Sequence, residues 1–231
     1  MNLVIGIISY LPEEETPRSI RIEAFNHLQA QLDKLFHAIP VIVIAQNWKD
    51  YTITAPNYTI CSYSKLGILK ARKTLRQELL KSDGDYFILF DDDAIIEMET
   101  STTDLIQRCG ENPKGFAFRK GDHNKYNPYI GSQLNFAVLS RFILESEDVP
   151  NVDPQKDEGF EDRVWSMLLH VKYAQYEWEL PADIKCTHFH KEGVPSTWSR
   201  ERKRDWKRMR SNTECIEAYI LARKDLPSRW R

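Results

Sequence analysis

Tyr86-Phe87-Ile88-Leu89-Phe90-Asp91-Asp92-Asp93 is the stretch on which the fold turns, an unbroken apolar run closed by consecutive carboxylates. A short apolar run with no polar alternation reads as a strand covered on both faces, the kind found inside a parallel sheet. Ligands of open α/β sheets bind outside the carboxyl ends of the strands, where these acids stand. Alternation sends Asp91 and Asp93 one way and Asp92 the other. Like charges that close either raise one carboxyl's pKa or hold a divalent cation, and oxygen ligands point to Mg²⁺ or Mn²⁺. The plainer alternative is an acidic turn capping a helix that begins after Ala94.

Upstream, Leu3–Ser9 is a second apolar run, ending at Ser9-Tyr10 before Pro12. A helix opens at Pro17, with Ile22, Phe25, Leu28, Leu32, Leu35 and Phe36 forming one apolar stripe at three- and four-residue steps. Pro40 stops it, and Val41–Ala45 is a further β-branched strand. Strand, helix and strand in this order predict a parallel βαβ unit with a right-handed crossover. Tyr51–Cys61 reads as a short strand or two interrupted by Pro56-Asn57. A helix is expected over Lys65 to Lys81, with Ile68, Ala71, Leu75 and Leu79 on one side and Arg72 and Arg76 sharing a neighbouring face.

The second half is less regular. Gly115–Phe118 and Leu134–Leu139 read as strands bracketing a polar-aromatic stretch with Tyr126 and Tyr129. Glu145 to Asp162 holds eight acids against one lysine, and Phe160 to Tyr173 reads as a helix buried along Val164, Leu168 and Val171. Trp165 and Trp178 are expected to fill core. Ile184–His190 alternates, setting Ile184, Cys186, His188 and His190 on one strand face. Beyond Trp198 the chain turns basic, with seven Lys/Arg against two acids over Ser199–Arg210.

A formal charge of −2 excludes a chain-wide polyanion binder, and 42% hydrophobic residues exclude a disordered one. Apolar runs are too short to cross a bilayer, and the start lacks the basic flank of a secretory signal. Four cysteines without a C-x-x-C spacing argue against a zinc knuckle and suit a reducing compartment. A cytoplasmic protein is expected.

The strand ending in Asp91-Asp92-Asp93, preceded by the Arg72-bearing helix, resembles the D-x-D region of GT-A-fold glycosyltransferases, most of all the bacterial and phage family-2 type. Gly159-Phe160-Glu161-Asp162-Arg163 is similar to that family's acidic motif at the start of the acceptor-side helix, whose Asp is the base in inverting members. Cys186-Thr187-His188-Phe189-His190 looks like the late strand whose histidine completes a metal shell. The resemblance implies an α/β fold: a single GT-A-like domain over residues 1–198, with a mostly parallel Rossmann-like sheet and helices on both faces. Its nucleotide-binding half would span 1–93 and its acceptor half 94–198, followed by a basic helical extension over 199–231. It implies Asp162, beside Glu161, as catalytic base, and Asp91 and Asp93 as ligands of Mn²⁺ or Mg²⁺ with His188 or His190. Ser9, Tyr10, Gln46, Arg72, Asp91 and Asp92 become candidate contacts of a nucleoside-diphosphate sugar, a UDP-sugar first. Family members often carry an Asp after the second strand for uracil or ribose; here Gln46-Asn47 stands there, with Asp50 later.

Tyr126, Tyr129 and Asn135 fall where an acceptor would bind, be it a glycan, a lipid-linked sugar or a hydroxylated DNA base. The 199–210 stretch, interleaved with Trp206, suits a solvated helix, a membrane surface or a nucleic acid. A nucleotidyltransferase would want a Gly-rich loop after the first strand, which Gly6-Ile7-Ile8-Ser9-Tyr10 is not. A non-catalytic sugar- or nucleic-acid-binding module is the remaining competitor.

Overall fold

The structure, a computed structural model, describes residues 1–120, 132–149 and 161–189. The strands expected from apolar runs form and pair as the βαβ pattern requires. β1 (Leu3–Tyr10) lies parallel to β2 (Val41–Gln46) and to β4 (Tyr86–Asp91), and β3 (Tyr58–Tyr63) adds parallel to β2 at the edge. On the other side β7 (Ser132–Ser140) and β6 (Phe116–Lys120) add antiparallel, completing a six-stranded sheet of order β3-β2-β1-β4-β7-β6. β2 is buried along its whole length, and β1 and β4 up to their half-buried last residues, Tyr10 and Asp91, because both faces are covered.

On one face, Phe25, Leu28 and Leu32 of α1 (Glu15–Leu35) and Leu105 and Cys109 of α3 (Thr102–Glu111) pack over Ile5, Ile7, Ile88 and Phe90. On the other, Ala71, Leu75 and Leu79 of α2 (Ile68–Lys81) pack over Val4, Ile8, Phe87 and Leu89, beside α4 (Arg141–Ser146) and α5 (Glu161–Tyr173). Gly6 permits this: a Cβ there would meet Leu79, Leu89 and Leu75 side chains at 3.0–3.2 Å. Each fully buried Leu or Phe in these layers contributes roughly 1.5–3 kcal/mol of transfer free energy.

Several expectations are corrected. Residues 51–57 are not strand: Tyr51 and Ile53 pack on the core by side chain, and the ladder with β2 begins only at Tyr58, past the Pro56-Asn57 turn. α2 starts at Ile68 rather than Lys65, because Gly67 takes φ 78°, a left-handed conformation that breaks the helix. No helix follows the acids. Asp92-Asp93 turn the chain into β5 (Ala94–Glu97), which pairs antiparallel with β8 (Lys185–His188) in a separate two-stranded sheet. On α5 Trp165 and Leu169 are buried and Leu168 is half-buried, while the side chains of Val164 and Val171 lie outside the described ones. Trp178 packs partly buried against the core.

Gln31 of α1 reaches the free edge of β5, donating to the Ile96 carbonyl at 3.1 Å and accepting from the Ile96 amide at 3.0 Å. The 199–231 extension, Tyr126 and Tyr129 lie outside the described residues. No helix among the described residues is long and apolar enough to cross a membrane.

Leu28 is fully buried where α1 meets the sheet. Leu28→Ala is expected to lower the unfolding free energy by about 2–5 kcal/mol, read from urea denaturation followed by far-UV circular dichroism.

Candidate active site

The site is built on the carboxyl end of β4. Asp91 is the strand's last residue, and the β5–β8 register sets Ala94 opposite His188, bringing the imidazole next to the acid turn. The Phe189 amide donates to the Asp93 carbonyl at 2.7 Å and fastens the same corner. One ligand atom from each of Asp91, Asp93 and His188 lies within 4.8 Å of the others, all three residues being half-buried. Two carboxylates and an imidazole are a donor set that fits Mn²⁺ or Mg²⁺, with room left for waters and phosphate oxygens.

Asp92 follows the end of β4, in the turn, and lies close enough to Asp93 for one Arg21 nitrogen to reach both, so the alternation expected to send it the other way does not carry past Asp91. Asp92 is buried, and its Oδ2 accepts from Ser9 Oγ at 2.8 Å and from the Tyr10 amide at 3.3 Å. Ser9 Oγ in turn accepts from Trp48 Nε1 at 3.2 Å, and Trp48 sits edge-on against Phe25 and Tyr51. Asp92 and Ser9 thus join the ends of β1 and β4. Tyr10 is half-buried, with Lys65 Nζ 5.5 Å above its ring. Gln46 and Asn47 are buried: Gln46 Oε1 accepts from the Leu66 amide, and Asn47, at φ 59°, donates through Nδ2 to the Leu11 carbonyl. Arg72 is buried on α2. Glu161 and Asp162 open α5, and Asn135 lies on β7. His190 is outside the described residues.

Arg21 of α1 belongs to the site and was not picked out from the sequence. Its Nη1 lies 2.9 Å from Asp92 Oδ1 and 2.9 Å from Asp93 Oδ2, while His188 Nδ1 lies 3.0 Å from Asp93 Oδ1. A signal was present: residues 21, 25, 28 and 32 fall on one helical face, so the core stripe of α1, followed back one turn, runs into a guanidinium.

These contacts set the protonation states. Burial pushes Asp92 up, to about 6, against the pull of Arg21. Burial also works to raise Asp93, but the hydrogen bond from His188 and the charges of Arg21 and His188 outweigh it and hold that carboxyl below its ordinary range. The bond to Asp93 raises His188 above its ordinary value of 6.5, with burial opposing. Arg21 is held more firmly protonated, first by Asp92.

The His188 contribution to stability is complete below 6.5 and lost as pH rises through its raised folded value. The Asp93 contribution is complete above 3.8 and lost as pH falls through its lowered one. In metal-free protein, an NMR titration of the His188 ring is expected to give a pKa above 6.5, and Asp93→Asn to bring it down. An unchanged value in the variant would mean the pair does not form.

No protein-family model matches the sequence, and no curated protein matches it. Among solved structures, the chain is similar to the mannosyltransferase PcManGT from Pyrobaculum calidifontis, in complex with GDP-Man and Mn²⁺, at a TM-score of 0.59 and 15% identity. That match covers 98% of this chain and 66% of the mannosyltransferase, so the chain spans about two thirds of its length. It is also similar to A197 from STIV, at a TM-score of 0.46 and 14% identity over 83% of this chain and 87% of that one. The likeness to the mannosyltransferase, with the mixed six-stranded sheet and its two helical layers, gives this chain a GT-A-like α/β fold.

Proposed function

We propose that the chain is a metal-dependent glycosyltransferase, acting in the cytoplasm, which moves a sugar from a nucleoside-diphosphate sugar to an acceptor hydroxyl with inversion. The observation that carries this is the meeting of Asp91, Asp93 and His188 within 4.8 Å at the carboxyl end of β4, on a fold shared with a mannosyltransferase. A UDP-sugar is the first candidate donor. The GDP-Man bound in the similar structure puts GDP-sugars beside it.

Asp91, Asp93 and His188 would hold the ion, with Tyr10 and the ends of β1 and β2 beside it to meet the nucleotide. Bound there, Mn²⁺ or Mg²⁺ supplies neutralisation of the charge that grows on a departing diphosphate. Asp162, at the start of α5, is the proposed base; it takes the acceptor's hydroxyl proton as that oxygen bonds to the anomeric carbon. The anomeric carbon–diphosphate bond breaks in the same displacement, and the nucleoside diphosphate carries off the electron pair. The acceptor is a glycan, a lipid-linked sugar or a hydroxylated DNA base, and the basic 199–210 stretch would meet an anionic membrane or nucleic acid surface.

A thermal-shift panel of UDP-, GDP- and TDP-sugars with and without Mn²⁺ tests the class: a rise in Tm is expected only with donor and metal together. Silence across the panel would favour a binding module of another kind. Asp162→Asn is expected to cut turnover by at least about 10²-fold while the donor-dependent Tm shift persists, and full activity in that variant would remove Asp162 as base.

A further inference from the structure

Arg21 heads the apolar face of α1 that continues through Phe25, Leu28 and Leu32, so a permanent cation stands where the helix would otherwise present a core residue. One nitrogen touches two carboxylates. Asp92 has both oxygens taken, by Ser9 and Tyr10 on one side and Arg21 on the other. Asp93 likewise has one oxygen on Arg21 and the other on His188. The side chain is only 24% exposed, so solvent screens it little.

In the metal-free protein Arg21 is therefore the counter-ion that lets adjacent carboxylates sit on one turn. A divalent ion drawn to Asp91, Asp93 and His188 meets that fixed positive charge a few ångströms away, sharing the carboxylate of Asp93 with it. A diphosphate brings negative charge to both cations at once and relieves their repulsion. We propose that Arg21 makes metal uptake at this site conditional on an anionic donor, weakening the bare ion's binding and coupling it to the diphosphate. The proposal rests on the nucleotide-sugar reading above. Arg21 acts on the ion by its charge, across the Asp93 carboxylate the two would share, and is a positioning residue.

The sign of one measurement separates this from a merely structural fastening. If Arg21 only braces the turn, removing it loosens the ligands and weakens metal binding. If it repels the ion, removing it strengthens binding. Isothermal titration of MnCl₂ alone into Arg21→Gln is expected to give at least about tenfold tighter binding than wild type. In wild type, saturating GDP or UDP is expected to tighten Mn²⁺ by at least about tenfold, with a smaller gain in the variant; linkage requires Mn²⁺ to tighten the diphosphate equally. Arg21→Lys, which keeps the charge, should stay near wild type with Mn²⁺ alone. Arg21→Met, whose stem continues the Phe25–Leu28–Leu32 stripe, is the second neutral variant should the glutamine one not fold.

Unchanged or weaker binding of Mn²⁺ alone by the neutral variants overturns the proposal. The glycosyltransferase reading then survives provided wild type still takes up Mn²⁺ with a diphosphate. Wild type binding Mn²⁺ equally well with and without diphosphate also overturns the proposal. Wild type binding no Mn²⁺ with or without UDP, GDP or TDP overturns the glycosyltransferase reading itself, and this proposal with it.

Discussion

Carboxylates on three adjacent residues cannot share a half-buried turn unless other groups absorb their charge. Most of what is specific to this chain follows from that. Ser9, the Tyr10 amide and Arg21 satisfy Asp92 where β1 and β4 end. Asp93 is met by His188, delivered from the far end of the sequence by the short β5–β8 ladder. The turn thus draws the first strand, the first helix and the last described strand to one corner, and the aromatic bracket of Trp48, Phe25 and Tyr51 stands behind Ser9.

The parallel core was readable because β1, β2 and β4 are unbroken apolar runs, which only two-sided burial explains. The intervening helices announced themselves by stripes of matching period. What escaped was whatever depends on pairing across long sequence separations. β5 is four residues long and owes its existence to β8, some ninety residues later, so the same letters read equally well as a turn leading into a helix. On α5 periodicity gave a stripe through Leu168, while Trp165 and Leu169 are the more deeply buried.

In the site, the acids and His188 were legible as residue types at strand ends. Their company was not. Gln46 stands in sequence as a candidate nucleotide contact, and its Oε1 holds the Leu66 amide while Asn47 holds the Leu11 carbonyl, partners no local pattern announces. Arg21 was hidden by habit: a lone arginine in an amphipathic helix normally faces water, and only its register with Phe25 and Leu28 marks it as inward. Local pattern therefore located the acid-bearing corner, and tertiary register supplied its cations.

The grip of Gln31 on the backbone of Ile96 has a consequence for how this chain can vary. Arg21 and Gln31 lie on the same helix, roughly 15 Å apart at 1.5 Å per residue, one clasping the acid turn and the other the strand that leaves it. Adding or deleting a single residue between them would rotate one clasp by about 100° relative to the other, so both could not close together. The interval 22–30 is thus a spacer of set length, free to change its letters on the solvent side but not their number.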